Sequence, residues 1–229
     1  MAVAANFMEP ARAIARQFEQ QTGCKVVLSF GSTGQLYAQI KNGAPYAVFL
    51  AADSARPELL ERDGPGVAGT RVTYAVGKLV LWSPRAGFVD ANGQVLAGGG
   101  FSHLAIANPD LAPYGAAARE VLMHLGLWER LQDRIVRGEN IGQAFQYVRT
   151  GNAELGLVAL SQIQRPGEPA DGSQWLPPQS MYTPIDQQAV LVKDEPAGRK
   201  LLEFLRGEQA RAIIRSYGYD TPTQPDARK

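Results

Sequence analysis

Four short segments of this 229-residue chain combine residue types that can hold an anion without a formal positive charge: Asn6, the pair Ser32-Thr33, Pro113-Tyr114-Gly115 and Asn140-Ile141-Gly142. Each places small, hydroxyl or amide residues at the expected start of a helix. There the first backbone N–H groups have no partner inside the helix, and the helix dipole is positive. Brought together, such starts form an oxyanion cradle. Taken singly, each reads equally well as an ordinary helix cap. Four at matching strand ends in two halves of the chain are harder to attribute to capping alone.

Other chemistries lack their residues. Gly31-Ser32-Thr33-Gly34 is followed by Gln35-Leu36, so the lysine of a phosphate-gripping loop is missing. The first strand-helix turn, Ala5-Asn6-Phe7-Met8, has no glycine for a dinucleotide fingerprint, and Gly-x-Ser-x-Gly occurs nowhere. His103 and His124 are the only histidines and have no acidic residues at metal-like spacing beside them, so neither a zinc site nor a histidine-based triad assembles. Both read as surface or satisfied-core residues, and Gly98-Gly99-Gly100 reads as a turn.

The elements that must position these residues follow from periodicity. Val3 to Ala5 reads as a strand, then a helix burying Ala11, Ile14, Ala15 and Phe18, with Asn6 capping it, Glu9 three residues later and Thr22-Gly23 ending it. Strands are expected at Lys25–Phe30 and Val48–Ala52, with helices after Ser32-Thr33 and over Pro57–Arg62. This βαβαβα order implies a parallel sheet covered by helices. After Val72–Gly77, the apolar run Lys78–Trp82 is long enough to pass into a second lobe, where strands at 104–107, 134–136 and 155–160 alternate with helices opened by Pro113 and Asn140. The stretch 165–184 holds five prolines and two glycines and is expected to be an irregular surface loop. A strand then returns at 188–192, followed by two helices and a polar tail, 221–229, expected to fray. The expected lobes are residues 1–80 with 190–229, and 81–189.

Composition agrees with a soluble binding or catalytic domain pair. Lys and Arg number 23 against 22 Asp and Glu with no basic block, so the footprint of a nucleic-acid binder is missing. No apolar run approaches the ~20 residues of a membrane span. Cys24, the one cysteine, rules out an intrachain disulfide and reads as a small buried residue. Met1 is followed almost at once by a strand end, so no leader is visible, which leaves a cytosolic protein or a mature exported one.

Together, Ala5-Asn6-Phe7, the run Phe30 to Ile40, Asn42-Gly43-Ala44-Pro45 leading to Ala51-Ala52-Asp53, Gly77 to Trp82, Asn108 to Gly115 and Leu155 to Leu160 resemble the periplasmic molybdate-binding proteins of ABC importers. The resemblance implies an α/β, two-lobed fold of the type II periplasmic-binding-protein class, each lobe a mostly parallel sheet flanked by helices and joined to the other by two hinge strands. It implies lobes that close on a tetrahedral oxyanion, molybdate or tungstate, held by uncharged donors. The implied ligands are Asn6 through side chain and backbone, Thr33 through hydroxyl and N–H, neighbouring Ser32, and the backbone N–H groups of Tyr114 and Ile141. Ala5 stands where some members carry a hydroxyl residue, so it could serve through its backbone alone. Ile185-Asp186-Gln187-Gln188 lacks the tyrosine that some members place there, and the phenol of Tyr114 is its stand-in; Asp186 must point away from a dianion. A periplasmic location, a membrane permease as partner, a monomeric state, no cofactor and no enzymatic activity are implied with it. The readings weighed against it are an oxyanion-sensing effector domain of a regulator and an enzyme on the same scaffold.

Overall fold

Period-two alternation in the apolar strands sorts their side chains onto two faces of one sheet. Val3, Leu50 and Leu191 enter one cluster, with Phe7, Ile14, Phe18 and Leu201, whereas Ala2, Phe49 and Val190 enter the other, with Leu36 and Ile40. The computed structural model describes residues 1–169 and 171–222. In chain order, β1 (Ala2–Ala4) passes through a 3-10 turn (Ala5–Phe7) into α1 (Met8–Thr22). β2 (Ser29–Gly31) leads to α2 (Thr33–Lys41), and β3 (Val48–Leu50) to α3 (Ala55–Asp63) and β4 (Val72–Gly77). There follow β5 (Leu79–Ser83), α4 (Val95–Gly98), β6 (Leu104–Ala107), α5 (Pro113–His124), α6 (Trp128–Leu131), β7 (Ile135–Gly138), α7 (Ile141–Arg149), β8 (Leu155–Ala159), α8 (Leu160–Ile163) and β9 (Ser173–Trp175). The last elements are β10 (Ile185–Leu191), α9 (Pro196–Arg206) and α10 (Glu208–Ser216).

The chain divides into two units, one made of Met1–Gly77 with the chain from Asp186 onward, the other of Lys78–Ile185. The first holds a sheet of order β2-β1-β3-β10-β4, in which β1 runs parallel to β2 and β3, and β10 runs antiparallel to β3. The second holds the order β7-β6-β8-β5-β9, with β6 parallel to β7 and β8, and β5 antiparallel to β8 and β9. Both sheets are therefore mixed α/β sheets with a parallel trio. Helical crossovers build each trio, and a strand of opposite direction lies beside it. The chain leaves the first unit between Gly77 and Lys78, where β4 gives way to β5, and returns to it between Ile185 and Asp186, within β10.

Two expectations are corrected. Residues 25–28 form no strand: β2 begins at Ser29, opposite Ala2, and Val27 O accepts from the Met1 amine at 2.6 Å outside the ladder. Cys24 beside them is half-buried, not enclosed. The Pro-rich stretch does contain regular structure: Ser173–Trp175 is an edge strand on β5, and Gln179–Met181 is a 3-10 turn. Prolines flank β9 without entering it. Its place is fixed by the Ser173 hydroxyl, which donates to Arg85 O at 2.6 Å, and by Trp82 Nε1, which donates to Asp171 O at 2.9 Å. Of the tail expected to fray, residues 223–229 lie outside the described residues.

Candidate functional site

In the first unit the parallel register brings the carboxyl ends of β1, β2 and β3 to one edge, where open α/β sheets take ligands. β1 ends into the 3-10 turn that carries Ala5 and Asn6, both buried. The expected capping role of Asn6 is corrected here: the intervening turn moves the start of α1 to Met8, and its N-cap, Phe7, has no side-chain cap. Instead, Asn6 Nδ2 donates to Gln187 Oε1 and to the Tyr219 hydroxyl, each at 2.9 Å. Both bonds hold the Asn6 amide to residues of the same unit.

At the end of β2, Ser32 is the N-cap of α2. Its Oγ accepts from Gln35 N at 3.3 Å, while Gln35 Oε1 accepts from Ser32 N at 3.4 Å, a reciprocal capping box. Thr33, 1% exposed, begins the helix, and its Oγ1 accepts from Ala52 N at 3.0 Å. That bond anchors α2 to the segment after β3 and leaves the hydroxyl proton of Thr33 out of it. The Ala51-Ala52-Asp53 segment is thus part of the same edge, held also by the Tyr74 hydroxyl, 3.0 Å from Ala51 O. Burial, reinforced by nearby Tyr219 and Asp53, pushes the Tyr74 phenol well above its ordinary range, so it remains a donor.

The second unit repeats the arrangement. β6 and β7 end together, Ala107 opposite Gly138, and feed α5 and α7. Pro113 is the first residue of α5 and brings no N–H; Tyr114 follows, 1% exposed. Ile141 opens α7 behind its N-cap Asn140, whose Oδ1 accepts from Gln143 N at 3.0 Å. Gln162 Nε2 donates to Ile141 O at 3.1 Å, fixing that turn from α8. Gly115 is required here because a Cβ would lie 2.4 Å from Ala107 O. Gly115→Ala is therefore expected to push α5 off the end of β6 and destabilise the unit by about 1 to 3 kcal/mol. Denaturant titration should show a lower midpoint at unchanged slope; an unaltered midpoint would mean that the contact relaxes freely.

The structure thus assembles Ala5, Asn6, Ser32 and Thr33 at one edge and Tyr114 and Ile141 at another, each edge within its own unit. Asp186 is exposed, whereas Gln187 is fully buried. Sequence reading missed Gln187, Tyr219 and Tyr74. Only the first had a signal: with Asp186 outward, alternation along β10 turns Gln187 inward beside Ile185 and Ala189. Among the described residues, no group of three or more His, Cys, Asp or Glu side chains could hold a metal ion, and no helix is long and apolar enough to cross a membrane.

A family model described as bacterial extracellular solute-binding protein matches residues 1–220. The molybdate-binding protein ModA of Azotobacter vinelandii is 55% identical over 222 residues, covering 96% of this chain and 88% of the relative. Its namesake in Rhodobacter capsulatus is 49% identical over 224 residues, covering 96% and 87%. A solved structure, the Azotobacter vinelandii periplasmic molybdate-binding protein, matches with a TM-score of 0.94 at 48% identity, covering 96% of this chain and 98% of that one.

Proposed function

The chain belongs to the bacterial extracellular solute-binding proteins, and from that premise we propose that it binds molybdate, and tungstate equally, for delivery to the membrane permease of an ABC importer. The observation that carries this reading is the 55% identity, across nearly the whole chain, to a relative named for molybdate binding. The donors proposed are the backbone N–H groups of Ala5, Asn6, Tyr114 and Ile141 and the N–H and hydroxyl groups of Thr33, with Ser32 beside them as the cap of α2. The protein then acts as a monomeric carrier in the periplasm, with no catalytic step and no nucleic-acid partner.

Uncharged donors suffice in magnitude. Six hydrogen bonds to a charged ligand, at about 1.5 to 3 kcal/mol each, reach about 9 to 18 kcal/mol before closure costs. Submicromolar affinity needs about 8 to 12 kcal/mol. They also discriminate. Monohydrogen phosphate carries a proton that needs an acceptor, and a cradle of N–H and O–H groups offers few, so phosphate would leave a buried polar group unsatisfied. Sulfate has no proton and is excluded by size alone, because the smaller ion falls short of donors spaced for molybdate.

Thermal melting at fixed pH and ionic strength tests this, because a ligand bound to the native state raises the melting temperature. Molybdate and tungstate are expected to raise it equally, and sulfate and phosphate at the same concentration to leave it nearly unchanged. Equal stabilisation by sulfate or phosphate would refute the uncharged-cradle reading.

A further inference from the structure

Four polar side chains from distant parts of the chain meet inside an apolar cluster of the first unit. Asn6 Nδ2 donates to Gln187 Oε1 and to the Tyr219 oxygen, each at 2.9 Å, and the Tyr219 hydroxyl donates to the Asn6 backbone carbonyl, also at 2.9 Å. The Tyr74 hydroxyl lies 3.0 Å from both Gln187 Oε1 and Ala51 O. Around them stand Val3, Phe7, Ala75 and Ala189. Such a network is an inefficient way to fill space, since apolar side chains of the same shape serve stability as well or better.

Its polarity is forced. Because the Tyr219 proton goes to the Asn6 carbonyl, the Tyr219 oxygen can only accept, and Asn6 must present Nδ2 to it. Rotating the Asn6 amide would turn its oxygen toward Gln187 Oε1 and the Tyr219 oxygen and break both bonds. Asn6 is thus held by its side chain and its carbonyl at once, which fixes the peptide planes of the turn at the end of β1. Tyr219 is itself braced: Asp220 N donates to Val76 O at 3.1 Å, and Val76 N to Asp220 O at 2.7 Å.

We infer that Gln187 and Tyr219 are positioning residues for oxyanion binding: they clamp Asn6 so that the N–H groups of the Ala5–Phe7 turn face the ligand. This rests on the proposed molybdate site. Gln187 brings β10 into the clamp and Tyr219 brings the segment after α10, so two distant segments set the aim of one turn.

The test is calorimetric titration with sodium molybdate alongside melting of the ligand-free protein. Gln187→Met and Tyr219→Phe are expected to weaken molybdate binding by about tenfold or more. Phe18→Leu thins the packing of the same apolar cluster at a side chain outside the polar network, so it should lower the melting temperature while leaving affinity within about twofold. In an Asn6→Ala background, Gln187→Met should have almost no further effect on affinity, because the Asn6 amide through which it acts is already gone. Unchanged affinity in Gln187→Met and Tyr219→Phe would overturn the assignment. So would affinity losses that follow the melting temperature in all three variants, or an undiminished effect of Gln187→Met without the Asn6 amide. A wild-type protein that takes up no molybdate would instead refute the proposed function, and this inference would fall with it.

Discussion

Thr33→Ala is expected to weaken molybdate binding about ten- to a hundredfold, which corresponds to the loss of a hydrogen bond to a charged ligand worth about 1.5 to 3 kcal/mol. Two effects combine in this residue, and they separate experimentally. The hydroxyl proton is the proposed donor to the ligand, and the hydroxyl oxygen accepts from Ala52 N inside the protein. Deleting both leaves the Ala52 N–H buried without an acceptor, which destabilises the ligand-free protein by a further ~1 to 3 kcal/mol. Thr33→Ser keeps the oxygen and should restore most of both properties. Calorimetry and melting on the pair decide the matter. Wild-type affinity in Thr33→Ala would remove this residue from the site, and equal defects in the Ser and Ala variants would show that the methyl group matters instead.

Phe7→Ala is the substitution expected to disturb the fold most. The ring is fully buried and meets Tyr74 edge-on at 4.7 Å and Tyr219 at 5.4 Å between centroids. Emptying such a site costs about 3 to 5 kcal/mol, through lost transfer energy and the cavity left behind. That is a large part of the ~5 to 15 kcal/mol by which domains are stable. The melting temperature should fall by more than about 10 °C. Saturating molybdate should recover part of the loss, up to about 4 kcal/mol at a thousandfold excess over Kd. A fall of only a degree or two would mean that the cluster closes over the gap.

What could be read in advance, and what could not, divides by the distance over which the deciding partner lies. The helix from Ile141 is specified locally, since Asn140 caps it through Gln143 three residues on, and the glycine that follows α1, Gly23, takes the left-handed conformation that ends a helix. Asn6 looked like a similar local cap. Its partners are 181 and 213 residues away, and no spacing rule reaches so far. Strand length also turns on a distant partner: Val26, Val27 and Leu28 have strand-forming side chains, but pairing with β1 begins only at Ser29, opposite Ala2. In the Pro-rich stretch, composition over twenty residues points to irregular structure, whereas the edge strand needs only three residues free of proline, Ser173–Trp175. The oxyanion residues came from family resemblance joined to cap chemistry, and the clamp behind them from neither.

The place of β10 has a consequence for the order in which the molecule forms during translation. It lies between β3 and β4 in its sheet, so until residues 185–191 leave the ribosome, β4 has no neighbour and that sheet is incomplete. Every strand of the other sheet lies between residues 79 and 175, in one unbroken stretch. Domains generally form as units while the chain emerges, and contacts between distant residues are the slow ones. The inner segment can therefore mature first, while residues 1–77 wait for the segment that begins at Asp186. The Asn6 turn waits longest, because its more distant partner, Tyr219, lies 213 residues further along the chain.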